Sequence, residues 1–178
     1  MADRTDAMTR NAASGRNWFR PEYLPGEIHT QSFLYSGPSR VQYHNGVRLF
    51  SIQSGEGALV VNGREYPVES GSCGLLYYCD FHRFVPKAGQ VLNGTLCSFP
   101  YETFLFASVY PSNELISIQT AGESIVILPK SESDRTRLLQ LFDMLKSSEK
   151  AYGTRMKCAL LFEILARLNI LWNNERQR

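Results

Sequence analysis

Apolar and polar side chains alternate through the middle of this chain. The run Arg48-Leu-Phe-Ser-Ile-Gln-Ser54 places Arg48, Phe50 and Ile52 on one face of a strand. Shifting the register by one residue would turn Phe50 and Ile52 to solvent and bring Leu49, Ser51 and Gln53 inside, a poorer core. The pattern therefore puts Arg48 on the buried face. Ala58-Leu-Val-Val-Asn62-Gly63-Arg-Glu-Tyr66 reads as a hairpin, because Asn-Gly tolerates the positive φ angles of a type I′ turn. Asn-Gly recurs at Asn45-Gly46 and Asn93-Gly94. Further strands are expected at 32–35, 40–44, 74–78, 82–85, 91–98, 103–109, 115–119 and 124–128. Many short strands at this spacing predict a β-sandwich or barrel.

The period changes after residue 130. Ser131-x-x-Asp134 resembles a helix-capping box, with Asp in place of Glu. Leu138, Leu141, Phe142 and Leu145 then form one apolar stripe. The pattern breaks between Ser147 and Thr154, around Gly153, and a second helix is expected over 154–172. On it Leu160, Leu161, Ile164, Leu165, Leu168, Leu171 and Trp172 span an arc of about 140°. Phe162 falls outside the arc, and Glu163 and Arg167 stand at pairing distance i, i+4. So wide an arc exceeds what one packing contact needs. The surplus, assigned to Leu161, Leu165, Leu168 and Trp172, is expected to be an exposed patch that joins two copies of the chain.

Composition follows the same division. All eight prolines, and every glycine except Gly15 and Gly153, lie between residues 21 and 130. The expected units are a flexible polar arm over 1–20, a β-domain over 21–130 that holds a ligand, and a helical segment over 131–178. The polar tail Asn173-Asn-Glu-Arg-Gln-Arg178 reads as the start of a linker to a further domain.

Formal net charge is only +2, and the lysines and arginines are scattered, not clustered on a basic face. Direct DNA reading by these residues is therefore not expected. The N-terminus lacks the apolar run of a signal peptide and no stretch suits a membrane span, so a cytoplasmic protein is expected. Cys73, Cys79, Cys97 and Cys158 form no Cys-x-x-Cys pair and read as reduced thiols, although Cys73 and Cys79 could meet across a loop. No nucleophile stands beside a base and no glycine loop suits a phosphate, so neither catalytic residues nor a cofactor is expected.

Two glycine-bounded segments resemble the cupin superfamily. Its first motif falls on Gln42, His44, Arg48 and Gly55, with Ser36 in the opening glycine slot and Gly37 beside it. Its second falls on Gly71, Tyr77, Cys79, His82 and Pro86. The resemblance implies a double-stranded β-helix, mainly β, with the motif side chains pointing inward. In metal-binding cupins three histidines and a glutamate hold iron, manganese, nickel or zinc. Here Gln42 replaces a histidine and Arg48 replaces the glutamate. A guanidinium offers a metal no lone pair and repels it, so no metal is expected.

The run Ser54-Gly-Glu-Gly-Ala-Leu-Val-Val-Asn-Gly-Arg-Glu-Tyr-Pro-Val-Glu-Ser-Gly71, with Leu75-Leu-Tyr-Tyr-Cys-Asp-Phe-His82 and the helical pair, resembles the sensor half of AraC-type transcription regulators over residues 28–172. Cys73, Gly74 and Tyr77 depart from that family's wording. The resemblance implies a bacterial effector-binding and dimerisation domain. Its two helix-turn-helix units are absent from the sequence, so the chain is expected to be part of a longer protein. Candidate ligand contacts are Gln42, His44, Arg48, Tyr77, His82 and Phe84. A buried Arg48 needs an anion, either a small polar or anionic effector or one of Glu56, Glu65 and Glu69. The competing readings are a small metal-dependent cupin enzyme of dioxygenase or isomerase type, and a purely structural cupin.

Overall fold

The computed structural model describes residues 27–106, 121–151 and 153–177. The expected arm over 1–20 and the strand expected at 115–119 lie outside the described residues. Among the described residues eight strands are found: β1 (His29–Tyr35), β2 (Gly46–Ser54), β3 (Glu56–Val61), β4 (Arg64–Glu69), β5 (Cys73–Leu76), β6 (His82–Pro86), β7 (Leu92–Pro100) and β8 (Ile125–Ile127). They form an antiparallel five-stranded sheet, order β1-β7-β2-β5-β8, and an antiparallel three-stranded sheet, order β4-β3-β6. The described residues also hold three helices: α1 (Tyr101–Phe106) between β7 and β8, then α2 (Glu132–Ala151) and α3 (Thr154–Arg176) after β8. The fold is mainly β, a two-sheet sandwich followed by a helix pair.

Period-two alternation divides the core. Phe50 and Ile52 of β2 meet Leu59 and Val61 of β3, Val68 of β4, Phe84 of β6 and Leu92 and Leu96 of β7 between the sheets. Val47 and Leu49 point the other way, joining Cys97, Phe99, Ile125 and the leucines of α2 and α3. The large sheet is therefore buried on both faces, which is why β2 and β7 are almost wholly inaccessible. Arg48 shares the face of Phe50 and Ile52 and is 3% exposed, as the register argument required.

The three Asn-Gly dipeptides differ in role. Asn62 (φ 49°) and Gly63 (φ 82°) form the β3–β4 turn. Asn45-Gly46 leads into β2 instead, and Asn93-Gly94 lies inside β7. Gly94 is required there because a Cβ would stand 2.5 Å from the Phe33 ring and 2.2 Å from the Ser51 carbonyl oxygen. Residues 40–44 contribute only a single bridge, Gln42 to His82. The strand expected from residue 103 is a helix as far as Phe106; its continuation lies outside the described residues.

In α2 the Ser131 hydroxyl accepts from the Asp134 amide at 3.4 Å, and the stripe Leu138, Leu141, Phe142, Leu145 is buried. Glu163 of α3 pairs with Arg167 at 3.2 Å and with Arg137 of α2 at 2.8 Å. The patch expected on α3 is not exposed. Leu161 and Leu165 are 0% exposed and Leu168 1%, and Trp172 packs partly against the same core. The wide arc meets two neighbours at once, α2 and the outer face of the large sheet at β8, so no surplus remains on those leucines. Among the described residues no helix is long and apolar enough to cross a membrane.

Candidate functional site

The site is built where the segment before β2 meets the start of β6. Gln42 and His82 exchange both backbone hydrogen bonds, at 2.8 and 2.9 Å. Residues paired in this way project their side chains from the same face. Arg48 reaches them from β2: its Nη1 donates to Gln42 Oε1 at 3.1 Å. A guanidinium only donates, so the amide oxygen, not the amide nitrogen, must face it. The His44 Nε2 lies 3.3 Å from that same oxygen and must therefore carry a proton. Gln42 Nε2 in turn donates to the Tyr35 hydroxyl at 3.5 Å.

The second histidine is fixed from the opposite side. His82 Nδ1 is 3.3 Å from the Asp80 carbonyl oxygen, an acceptor only, so Nδ1 carries the proton. The neutral ring then presents Nε2 as a bare lone pair. That atom is buried and has no protein partner within hydrogen-bond distance. The His44 and His82 rings stand 5.5 Å apart at 43°. Burial first, with the charges of Arg48 and His44 adding to it, pushes His82 down to about 4, against the opposing pull of the Asp80 carbonyl.

Beneath the polar cluster lies an aromatic floor. The Phe33 ring stacks on Phe84 at 4.9 Å and on Tyr35 at 5.1 Å, and Phe50 meets Phe84 edge-on at 5.8 Å. Phe84 thus belongs to the packed interior directly below the site. Tyr77 does not join the cluster. It packs against the helix-side core, and its hydroxyl lies 3.2 Å from that of Tyr101. Of the six candidate contacts, four converge, one forms the floor and one points elsewhere.

Glu56, Glu65 and Glu69, offered as internal partners for Arg48, line a groove of about 760 Å³ on the outer face of the three-stranded sheet, and Glu56 is paired with Lys87 at 2.8 Å. That sheet separates them from Arg48. Tyr35, Asn62, Asp80 and Ser124 were not visible as site residues in the sequence. Asp80 accepts from Asn62 Nδ2 at 2.6 Å, holding the loop that carries His82.

The metal that the cupin resemblance brings to mind does not fit this donor set. Arg48 brings a positive charge into the carboxylate's slot. Gln42 Oε1 already accepts from Arg48 and His44, and the Nε2 of His44 is committed to donation. The Nε2 of His82 aims a buried lone pair into this cluster, but it stands beside a guanidinium. Among the described residues no three His, Cys, Asp or Glu side chains converge as a metal site would require.

The sequence matches no protein-family model and no curated protein. Solved structures do match. ToxT from Vibrio cholerae, in its P21 crystal form, aligns with a TM-score of 0.55 at 14% identity over 80% of this chain and 56% of ToxT. ToxT bound to (E)-4-(8-methylnaphthalen-1-yl)but-3-enoic acid aligns equally well, at 0.55 and 14% over 80% of this chain and 57% of that one. A cupin 2 conserved barrel domain protein from Salinispora arenicola CNS-205 aligns over 40% of this chain at 16% identity, with a TM-score of 0.39. The likeness to ToxT establishes the fold alone. The chain spans just over half the length of ToxT.

Proposed function

We propose that this chain is the effector-sensing and dimerisation domain of an AraC-type bacterial transcription regulator, acting in the cytoplasm. DNA would be read by a helix-turn-helix part beyond these residues. The observation that carries this reading is Arg48: a guanidinium 3% exposed, inside the sandwich, in the slot where a cupin enzyme places its metal-binding carboxylate. A buried positive charge beside polar hydrogen-bonding groups suits a small polar or anionic effector better than bond-breaking chemistry. The carboxylic acid bound to ToxT supports an acid as the ligand class.

Dimerisation would use the solvent side of α3, where Ile170 is 52% exposed. Two-fold pairing there would give a regulator its two reading heads.

Titration calorimetry with benzoate and with 3-hydroxybenzoate tests the site. Binding should be lost or weakened at least tenfold in Arg48→Met while the circular dichroism spectrum stays native. Unchanged affinity in that variant would show that Arg48 serves the fold alone and would overturn the effector assignment.

A further inference from the structure

The hydrogen-bond directions at the cluster constrain the ligand beyond its charge. Each neutral imidazole has one donor and one acceptor nitrogen. His82 spends its donor on the Asp80 carbonyl, which leaves Nε2 as an acceptor, buried in a residue 3% exposed and without a protein donor. A buried acceptor left unmet costs about 1–3 kcal/mol, so the site's occupant is expected to satisfy it. An ionised carboxylate cannot, because it only accepts. A plain acid would place oxygens beside Arg48 and leave His82 Nε2 facing another lone pair.

We infer that the effector carries a hydroxyl or N–H donor beside its anionic group, with His82 Nε2 accepting from that donor and Arg48 on the anion. This rests on reading the Gln42–His44–Arg48–His82 cluster as an effector site. The neutral state of the His82 ring, held well below its ordinary range by burial, keeps Nε2 available as an acceptor at neutral pH. The floor limits the ligand's size. Phe33, Phe50, Phe84, Leu92 and Leu96 already fill the space between the sheets, so a long chain has no room to enter. A compact hydroxy acid matches both constraints. The competing occupant of Nε2 is a buried water, which would give no preference for a ligand hydroxyl.

Matched acids decide between them: glycolate and acetate, 3-hydroxybutyrate and butyrate, 3-hydroxybenzoate and benzoate, each titrated calorimetrically into the protein. At least one hydroxy acid should bind about tenfold more tightly than its partner, the worth of one buried neutral hydrogen bond. His82→Phe should erase that ratio, whereas Arg48→Met should weaken both members of the pair. On the unaltered protein, the ¹⁵N resonance of His82 Nε2 should move from a bare to a hydrogen-bonded position with the hydroxy acid and stay put with the plain acid. This second readout holds even if a variant fails to fold. Equal affinities within every pair, a ratio surviving in His82→Phe, or an unmoved resonance would overturn the inference while leaving the effector site standing. Failure of every acid to bind would overturn both.

Discussion

The Ser124 hydroxyl donates to Asp80 Oδ2 at 2.5 Å, tying the residue before β8 to the loop that delivers His82. The same serine oxygen accepts from the Tyr77 amide at 2.8 Å, and Asn62 holds the other oxygen of Asp80. Three chain segments are thus fixed on one carboxylate. Asp80 also supplies the carbonyl that orients the His82 ring.

Asp80→Ala removes two short hydrogen bonds to a carboxylate. Hydrogen bonds to charged groups contribute about 1.5–3 kcal/mol each when well formed, and this pair is only partly buried, so a loss of about 2–3 kcal/mol is expected. Urea unfolding checks it through a lower midpoint at unchanged slope. Asp80→Asn should recover part of the loss, because an amide still accepts one bond. Wild-type stability in Asp80→Ala would show that the loop is held by its backbone alone.

The features legible in the sequence are those set by side-chain period. Phe50 and Ile52 fixed the face of β2, and with it the inward placement of Arg48, because a period of two admits only two registers. Gln42, His44 and His82 were legible through spacing. Asn93-Gly94 lies within the strand expected over 91–98, and its glycine is required there because the Phe33 ring occupies the space of a Cβ. Tyr101–Phe106 carries strand-favouring residues, yet it forms a helix directly after Pro100 ends β7. Tyr77 was misassigned because the motif slot gives a position along the chain and not the face from which the ring projects. Asp80 and Ser124 meet across 44 residues, a separation no local pattern encodes.

Acid should weaken the fold through His82. Unfolded, its imidazole titrates near 6.5; folded, at about 4. Between those values the unfolded chain binds more protons, so stability rises with pH across this window and is lost as pH falls through it. The full difference amounts to about 3 kcal/mol, reached below pH 4. Stability curves of wild type and His82→Phe between pH 4 and 7.5 isolate this share, which should vanish in the variant. A wild-type curve with the same pH slope as the variant would place the histidine in an exposed, ordinary setting.

Protein purified without chelator should hold far less than one equivalent of iron, manganese, nickel or zinc. Metal needs several deprotonated ligands, and beside the lone pair of His82 Nε2 this cluster supplies a guanidinium, an amide and a histidine whose Nε2 is committed to Gln42. Elemental analysis on the intact protein decides it. One equivalent of any of these metals that disappears in His44→Ala/His82→Ala would revive the cupin enzyme reading.

Charge placed on α3 separates its two faces. Leu161 and Leu168 are sealed against α2 and the large sheet, so Leu161→Glu or Leu168→Glu puts an unpaired carboxylate into the core. That should cost at least about 4 kcal/mol and yield unfolded or aggregated protein, not soluble monomer. Ile170 lies on the opposite side of α3 from Leu161, about half exposed. Ile170→Glu leaves the core intact, so the domain should keep its thermal unfolding midpoint as a monomer. If two copies pair through this face, the introduced like charges meet across the two-fold axis and the dimer dissociates. Sedimentation equilibrium at tens of micromolar reads the result: a wild-type dimer and an Ile170→Glu monomer of native spectrum. A monomeric wild type, or a dimer indifferent to Ile170→Glu, would remove the outer face of α3 from the interface.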